Sequence, residues 1–290
     1  MGFGAMLVTT MPPARKSISS CHTLSLQPAE HMTSGVMGKV TMKSSPASVL
    51  KNAHRYLVMA AMRTPFRDHA TKVAVSKVRS SIPKLSSVND MLDFVVEPLC
   101  TGISISPLQI REEIASFLEI LLSHPPRYVL EIGTATGGTL FLFAQVASRD
   151  ATIVSVDMSG GPYGGGYPEW KIPLYRSFAR FPEQRIGLLR EDSHNLQTVE
   201  KVRNLLENNR LDFLFIDGDH TYVGVKKDFE MYSPLVRKGG MIALHDIVPH
   251  PPSTRCEVDR LWNEIKRDHE YTEIVNDWNQ EWGGIGVLGA

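Results

Sequence analysis

From about Ser86 onward, short apolar runs alternate with segments whose apolar positions recur at helical spacing. Runs at 128–132, 152–156, 186–190, 212–216, 240–245, 272–275 and 284–288 are the length of strands and are bounded by turn-forming residues, so each predicts a strand. The segments between them predict helices near 138–148, 170–181, 195–208, 222–236 and 257–267. Two further helices precede the first strand, at Val88 to Leu99 and Pro107 to Ser123. In the second of these Ile110, Ile114, Phe117, Leu118 and Leu121 share a face, and Pro107 sits near the start. Strands alternating with helices predict an α/β fold, a doubly wound parallel sheet with helices on both faces. No internal repeat is visible.

The first 85 residues read differently. Residues 1–45 are rich in Ser, Thr, Met and Pro without sustained periodicity and predict no stable structure. Residues 46–80 predict a basic helix, with Val49, Leu50, Tyr56, Leu57, Ala60 and Ala61 roughly on one face. A net charge of zero conceals the contrast: residues 1–85 hold 12 Lys/Arg against Glu30 and Asp68, a net +10, and the remainder is −10. The chain therefore divides into a basic N-terminal extension, 1–85, and a domain over 86–290. For the extension four readings stay open: a solvated tail, a targeting segment, an arm that contacts an anionic partner or membrane surface, and a true start at Met6, Met11, Met32, Met37 or Met42. Its basic residues are not interleaved with aromatics and match no nucleic-acid module.

Composition narrows the class. A hydrophobic content of 42% with 21% charged residues is that of a globular chain with a core, and no apolar run approaches the ~18 residues of a membrane span. Cys21, Cys100 and Cys256 are odd in number and widely spaced, which excludes a disulfide framework and a CxxC metal site and fits a reducing, cytoplasmic setting.

In open α/β sheets ligands sit beyond the carboxyl ends of the strands, so the residues that end each strand are the ones to read. The first ends in Glu131-Ile-Gly-Thr-Ala-Thr-Gly137, a glycine-rich bend leading into a helix, the form of a nucleotide cradle. Ala135 occupies what would be the second glycine of a dinucleotide fingerprint. The second strand ends in Asp157, placed to accept both hydroxyls of a ribose, and the third in Arg190-Glu-Asp-Ser-His194, which offers polar groups to an adenine edge. The fourth delivers Asp217-Gly-Asp-His220 and the fifth His245-Asp246. Asp217, His245 and Asp246 could surround one divalent cation, Mg²⁺, Mn²⁺ or a softer metal. The loop 159–170 carries five glycines with Tyr163, Tyr167 and Trp170, and reads as a lid over a ligand.

These motifs together resemble a class I S-adenosylmethionine-dependent methyltransferase over roughly residues 105–290. Glu131-x-Gly-Thr-x-Thr-Gly-Gly resembles the first motif of the catechol O-methyltransferase-like branch, in which the middle glycine is often replaced. Phe215-Ile-Asp-Gly-Asp-His220 and Gly239-Gly-Met-Ile-Ala-Leu-His-Asp246 resemble the macrolide-sugar and rhamnosyl O-methyltransferases and the cephalosporin-hydroxylase-type proteins. The resemblance implies a Rossmann-like, seven-stranded, mostly parallel sheet with an antiparallel last strand. It also implies that Glu131, Gly133, Thr134 and Gly137 frame the methionine part of S-adenosylmethionine, that Asp157 binds its ribose, and that Asp192 and Ser193 lie near its adenine. Asp217 matches a metal ligand and His220 a general base; His245 departs from the pattern, since acids usually fill its place.

The expected reaction is methyl transfer to a hydroxyl of a sugar or other small polyhydroxylated acceptor, assisted by a divalent cation and by His220. A nucleotide-dependent oxidoreductase on the same topology and a non-catalytic binding module with a relic cofactor site are the alternatives. Homo-oligomerisation stays open.

Overall fold

A computed structural model describes residues 65–160 and 165–290. The chain divides into two units, Met1–Ser45 and Pro46–Ala290, and everything described lies in the second. The expectations for residues 1–64, including the face through Val49 and Ala61, and the lid residue Tyr163 lie outside the described residues.

Seven strands form one sheet: β1 (Tyr128–Ile132), β2 (Thr152–Val156), β3 (Arg185–Leu189), β4 (Leu211–Ile216), β5 (Val236–His245), β6 (Tyr271–Ile274) and β7 (Ile285–Gly289). Their order is β3-β2-β1-β4-β5-β7-β6. β1 to β5 pair in parallel, while β7 is antiparallel to both β5 and β6, so the last strand inserts between its two predecessors. All seven fall where the apolar runs place them, and the last is antiparallel as the resemblance implies.

Successive side chains of a strand point to opposite faces, and the core divides accordingly. One face holds Val129, Ile153, Phe213, Phe215 and Ala243. Against it pack α1 (Pro65–Ser81), α2 (Val88–Val96), α3 (Arg111–Ser123), α4 (Gly138–Val146) and α5 (Ile172–Arg176). Phe117 of α3 and Phe143 of α4 meet Phe213 and Phe215 with ring centroids 5.1–6.2 Å apart. The opposite face holds Leu130, Val154, Leu214, Ile242 and Leu288 under α6 (Leu196–Leu205), α7 (Tyr222–Tyr232) and α8 (Val258–Ile265). Trp262 of α8 is fully buried there, seated over Gly286, where any Cβ would lie 2.7 Å from its ring.

Three expectations need correction. Helix α1 buries Ala70, Ala74 and Val78 in the domain core, so the compositional break near residue 85 is not a packing boundary. Helix α3 begins at Arg111 rather than Pro107, because Pro107 belongs to a loop packed on Gly138. The helix expected over 170–181 shrinks to a single 3-10 turn, Glu169–Lys171, and α5, which ends at Arg176. No helix among the described residues is long and apolar enough to cross a membrane.

Candidate active site

Sheet register builds the site. Ile132, Val156, Ile216 and Leu244 lie abreast in β1, β2, β4 and β5. Gly133, Asp157 and Asp217 therefore leave the sheet at one level, beside His245, the last residue of β5. The strand order reverses between β1 and β4, the switch point at which open α/β sheets leave a crevice. A cavity of about 750 Å³ opens there, within the size range of small-molecule and cofactor sites. Its lining includes Gly133, Asp157, Asp192, Ser193, Asp217, His220, His245 and Asp246, eight of the eleven residues singled out from the sequence.

The other three, Glu131, Thr134 and Gly137, do not line it. The Glu131 side chain is fully buried and accepts hydrogen bonds from the hydroxyls of Thr139 and, at 2.5 Å, Ser155. Thr134 joins the same network, its hydroxyl 2.5 Å from that of Ser155. Burial pushes the Glu131 carboxyl up to about 8 against these hydrogen bonds, with the nearby charges of Asp157 and Asp217 adding to the rise. The acid expected to frame the methionine part of the cofactor is thus buried inside the domain, where burial favours its neutral form.

The glycines of the bend also serve packing. Gly133 has φ +98°, and a Cβ there would lie 2.0 Å from the Asp217 carbonyl oxygen. Gly137, at φ +92°, packs against the Tyr175 ring. Gly133 thus lets the ends of β1 and β4 meet, and Gly137 lets the bend settle on Tyr175. Ala135, at φ +43°, donates its amide to Asp157 Oδ2 at 2.6 Å, and its carbonyl accepts from the Tyr175 hydroxyl. Burial raises the Asp157 carboxyl, while amides of Ala135, Gly166, Thr134 and Met158 oppose that shift.

The lid reading changes too. Tyr167 is buried and packs on Tyr175 at 4.7 Å between centroids, and Trp170 sits partly buried against the core. Arg190 ties this loop down through the Tyr167 carbonyl at 2.9 Å and the Ser159 hydroxyl at 2.7 Å. Among the described residues, the large aromatic side chain on the cavity is instead Trp282, 44% exposed.

On the β4–β5 side the ionisable groups converge. His245 Nδ1 lies 3.1 Å from Asp217 Oδ1 and 3.3 Å from Asp246 Oδ1. Asp217 Oδ2 accepts from the Gln109 amide at 2.8 Å. His220 Nδ1 is 2.9 Å from Asp246 Oδ2, and His250 Nε2 is 3.2 Å from Asp246 Oδ1. Asp246 itself adopts φ +64°, an uncommon backbone for a non-glycine residue, and accepts the Gly283 amide at 3.1 Å. Burial disfavours charge on His220, yet hydrogen bonds to Asp246 and Cys256 and the Asp217 charge outweigh it and carry the imidazole up to about 10. Burial likewise opposes charge on His245, and the carboxylates of Asp217 and Asp246 raise it well above the ordinary histidine value.

Ligand atoms of Asp217, His245 and Asp246 lie within 4.8 Å of one another, so the three residues fit a divalent cation. Gln109, Lys171, His250, Cys256 and Trp282 were not legible as site residues. The first, third and fourth carry polar side chains in loops or at loop ends, where no periodicity marks them.

A family model described as a methyltransferase domain matches residues 130–247. An uncharacterized protein of Acanthamoeba polyphaga mimivirus is 53% identical over 117 residues, 40% of this chain and 50% of that one. A Dictyostelium discoideum protein named a probable caffeoyl-CoA O-methyltransferase is 25% identical over 139 residues, 48% of this chain and 56% of that one. The chain thus spans about half the length of these curated relatives. The crystal structure of an O-methyltransferase from Bacillus cereus aligns with a TM-score of 0.45 at 17% identity, over 73% of this chain and 90% of that chain.

Proposed function

We propose, from the match of residues 130–247 to a family model described as a methyltransferase domain, that this chain is an S-adenosylmethionine-dependent methyltransferase acting on a hydroxyl of a small polyhydroxylated acceptor such as a sugar. One observation carries the reading. A single cavity has Asp157, Asp192 and Ser193 on its β2–β3 side and Asp217, His220, His245 and Asp246 on its β4–β5 side. The first group suits a nucleoside, and the second suits activation of a hydroxyl beside it.

When bound, S-adenosylmethionine supplies a methyl on a positively charged sulfur, and a divalent cation held by Asp217, His245 and Asp246 supplies Lewis acidity that lowers the acceptor's pKa. The chain's own residues orient and deprotonate. Asp157 accepts hydrogen bonds from the ribose, and Asp192 with Ser193 faces the adenine. Gln109 holds one oxygen of Asp217, which leaves Oδ1 toward His245 and the cavity. His220 takes the acceptor's proton in its neutral imidazole form, and because Asp246 and Asp217 favour the imidazolium, that form grows as pH rises. Confining acceptor and donor in one crevice supplies the remaining advantage, that of proximity. Trp282 offers a ring on which a sugar face can stack.

The name of the Dictyostelium relative favours a second acceptor class, a catechol-type phenol, which Trp282 would also accommodate. Calorimetric titration of the full chain with S-adenosylmethionine, with and without Mg²⁺, tests the main reading. Saturable binding is expected under at least one condition. Absence of binding under both, or NAD found in its place, overturns the reading. Metal-independent turnover of an identified acceptor overturns the role of the cation alone. Turnover of catechols but not of sugars moves the assignment to the phenol class.

A further inference from the structure

The segment that follows β5 closes back on the site. Asp246 and Arg255 both adopt left-handed backbone, at φ +64° and +58°, and the prolines at 249, 251 and 252 lie between them. This return brings Cys256 beside Asp246 and His220. Ligand atoms of His220, Asp246 and Cys256 lie within 4.8 Å of one another. His250 joins them, its Nε2 3.2 Å from Asp246 Oδ1.

We infer that His220, Asp246, His250 and Cys256 form a binding site for a zinc-class divalent cation, which shares only Asp246 with the Asp217–His245–Asp246 set. The donors decide the class. Two imidazoles, a carboxylate and a thiolate suit a borderline-soft ion in four-coordination, whereas Mg²⁺ demands an octahedral oxygen shell. Zinc bonds of about 2.0–2.3 Å hold tetrahedral ligand atoms roughly 3.3–3.8 Å apart, so the spacing present requires only small side-chain adjustments. The two anionic donors, Asp246 and Cys256, would balance the charge of the ion.

Orientation of the ligands adds a second, independent argument. His250 Nδ1 lies 2.7 Å from the Val248 carbonyl oxygen. That oxygen can only accept, so Nδ1 carries a proton, and the nitrogen that faces the cluster is Nε2, where a cation would replace the proton now shared with Asp246. Metal-binding histidines are commonly held in just this way, through the nitrogen that does not bind. Asp246 is likewise fixed, by the Gly283 amide at 3.1 Å. Side chains of His250 and Asp246 are only 8% and 10% exposed, so the ligands are pre-positioned and shielded from water.

The inference stands apart from methyl transfer, since a protein with no methyltransferase activity could still bind the ion. The two readings meet at His220 and Asp246: an ion that takes this imidazole removes it as a proton acceptor, and Asp246 serves both donor sets.

Cobalt(II) titration of the reduced, chelator-treated full chain tests the site, because a cobalt–thiolate bond gives a charge-transfer band in the near ultraviolet. One equivalent should produce that band together with the intense visible absorption of four-coordinate cobalt. Cys256→Ser should abolish the band, His250→Ala should weaken binding by about tenfold or more, and Asp217→Asn should leave both band and affinity in place. No band at saturating cobalt, a band that survives Cys256→Ser, or one that requires Asp217 overturns the assignment. Alkylation of the unaltered protein gives a check that needs no variant. One equivalent of Zn²⁺ should slow modification of Cys256, located by peptide mass mapping, while Mg²⁺ should not. Equal rates with and without Zn²⁺ overturn it as well.

Discussion

The two sides of the cavity solve different problems with different materials. On the β1–β3 side the backbone shapes the wall, through the bend at Gly133 and Ala135 and the amides gathered on Asp157, with Asp192 and Ser193 beside them and Glu131 buried behind, satisfied by two hydroxyls. On the β4–β5 side, side chains of Asp217, His220, His245, Asp246, His250 and Cys256 crowd together, most of them perturbed in their ionisation. A cofactor is recognised the same way in every cycle, and a rigid backbone cradle serves that task at little electrostatic cost. Activating a hydroxyl requires charge that can move, and so requires titratable groups held against one another. If this division is correct, substitutions on one side change cofactor affinity and on the other change turnover.

The largest separation is expected at His220. His220→Ala should lower turnover by about 10²–10⁴-fold, the span of a general base, and leave S-adenosylmethionine affinity unaltered. Steady-state kinetics beside calorimetry reads both quantities on one preparation. A variant that turns over normally removes His220 from the chemistry.

Gly133 joins the two sides, and its substitution should disturb both. In Gly133→Ala the new Cβ meets the Asp217 carbonyl oxygen at 2.0 Å, on a backbone already at φ +98°. Left-handed strain and overpacking together should cost about 2–5 kcal/mol in denaturant unfolding. Affinity and turnover should fall together. Loss of only one of them would mean that the strand ends are not mechanically linked.

Asp157 isolates the cofactor side. Asp157→Asn keeps the shape but removes the charge, and should weaken S-adenosylmethionine about 10–100-fold, the worth of a hydrogen bond to a charged group. Turnover at saturating cofactor should stay close to that of the parent. A fall in turnover with unchanged affinity would place Asp157 on the wrong side of the division.

How much of this was legible in the sequence follows the same line. Strand positions were readable because apolar runs bounded by Gly, Pro and Asp have few other interpretations, and the polar residue after each run marked the wall of the cavity. The antiparallel β7 was implied by resemblance, but its insertion between β5 and β6 follows from nothing local. Side-chain direction was not readable. Glu131 looked like a ligand because an acid in an apolar strand is costly without a partner, and the partners, Thr139 and Ser155, lie 8 and 24 residues away. Tyr167 and Trp170 looked like a lid because their glycine-rich surroundings suggested exposure, and tertiary packing drew both toward the core. His250 and Cys256 went unread because a proline-rich loop has no period, and only its two left-handed turns bring them back to Asp246.

Glu131 gives the smallest functional effect and the sharpest test of the cradle. Its carboxyl stands at about 8 in the folded chain against an ordinary 4.5. Below pH 4.5 the folded and unfolded chains both hold the proton, and the raised value takes nothing from stability. Between pH 4.5 and 8 the unfolded chain releases the proton first, so folding must take it up again and stability falls as pH rises. Above pH 8 that loss is complete. Gln cannot ionise, so Glu131→Gln should match the parent near pH 4.5 and gain on it up to pH 8, by an amount on the order of a few kcal/mol at most. Thermal unfolding at a series of pH values measures the difference, and calorimetry should find cofactor affinity unchanged. A pH-independent difference joined to weaker S-adenosylmethionine binding would mean that Glu131 is ionised and reaches the ligand, which would return it to the role its place in the motif suggested.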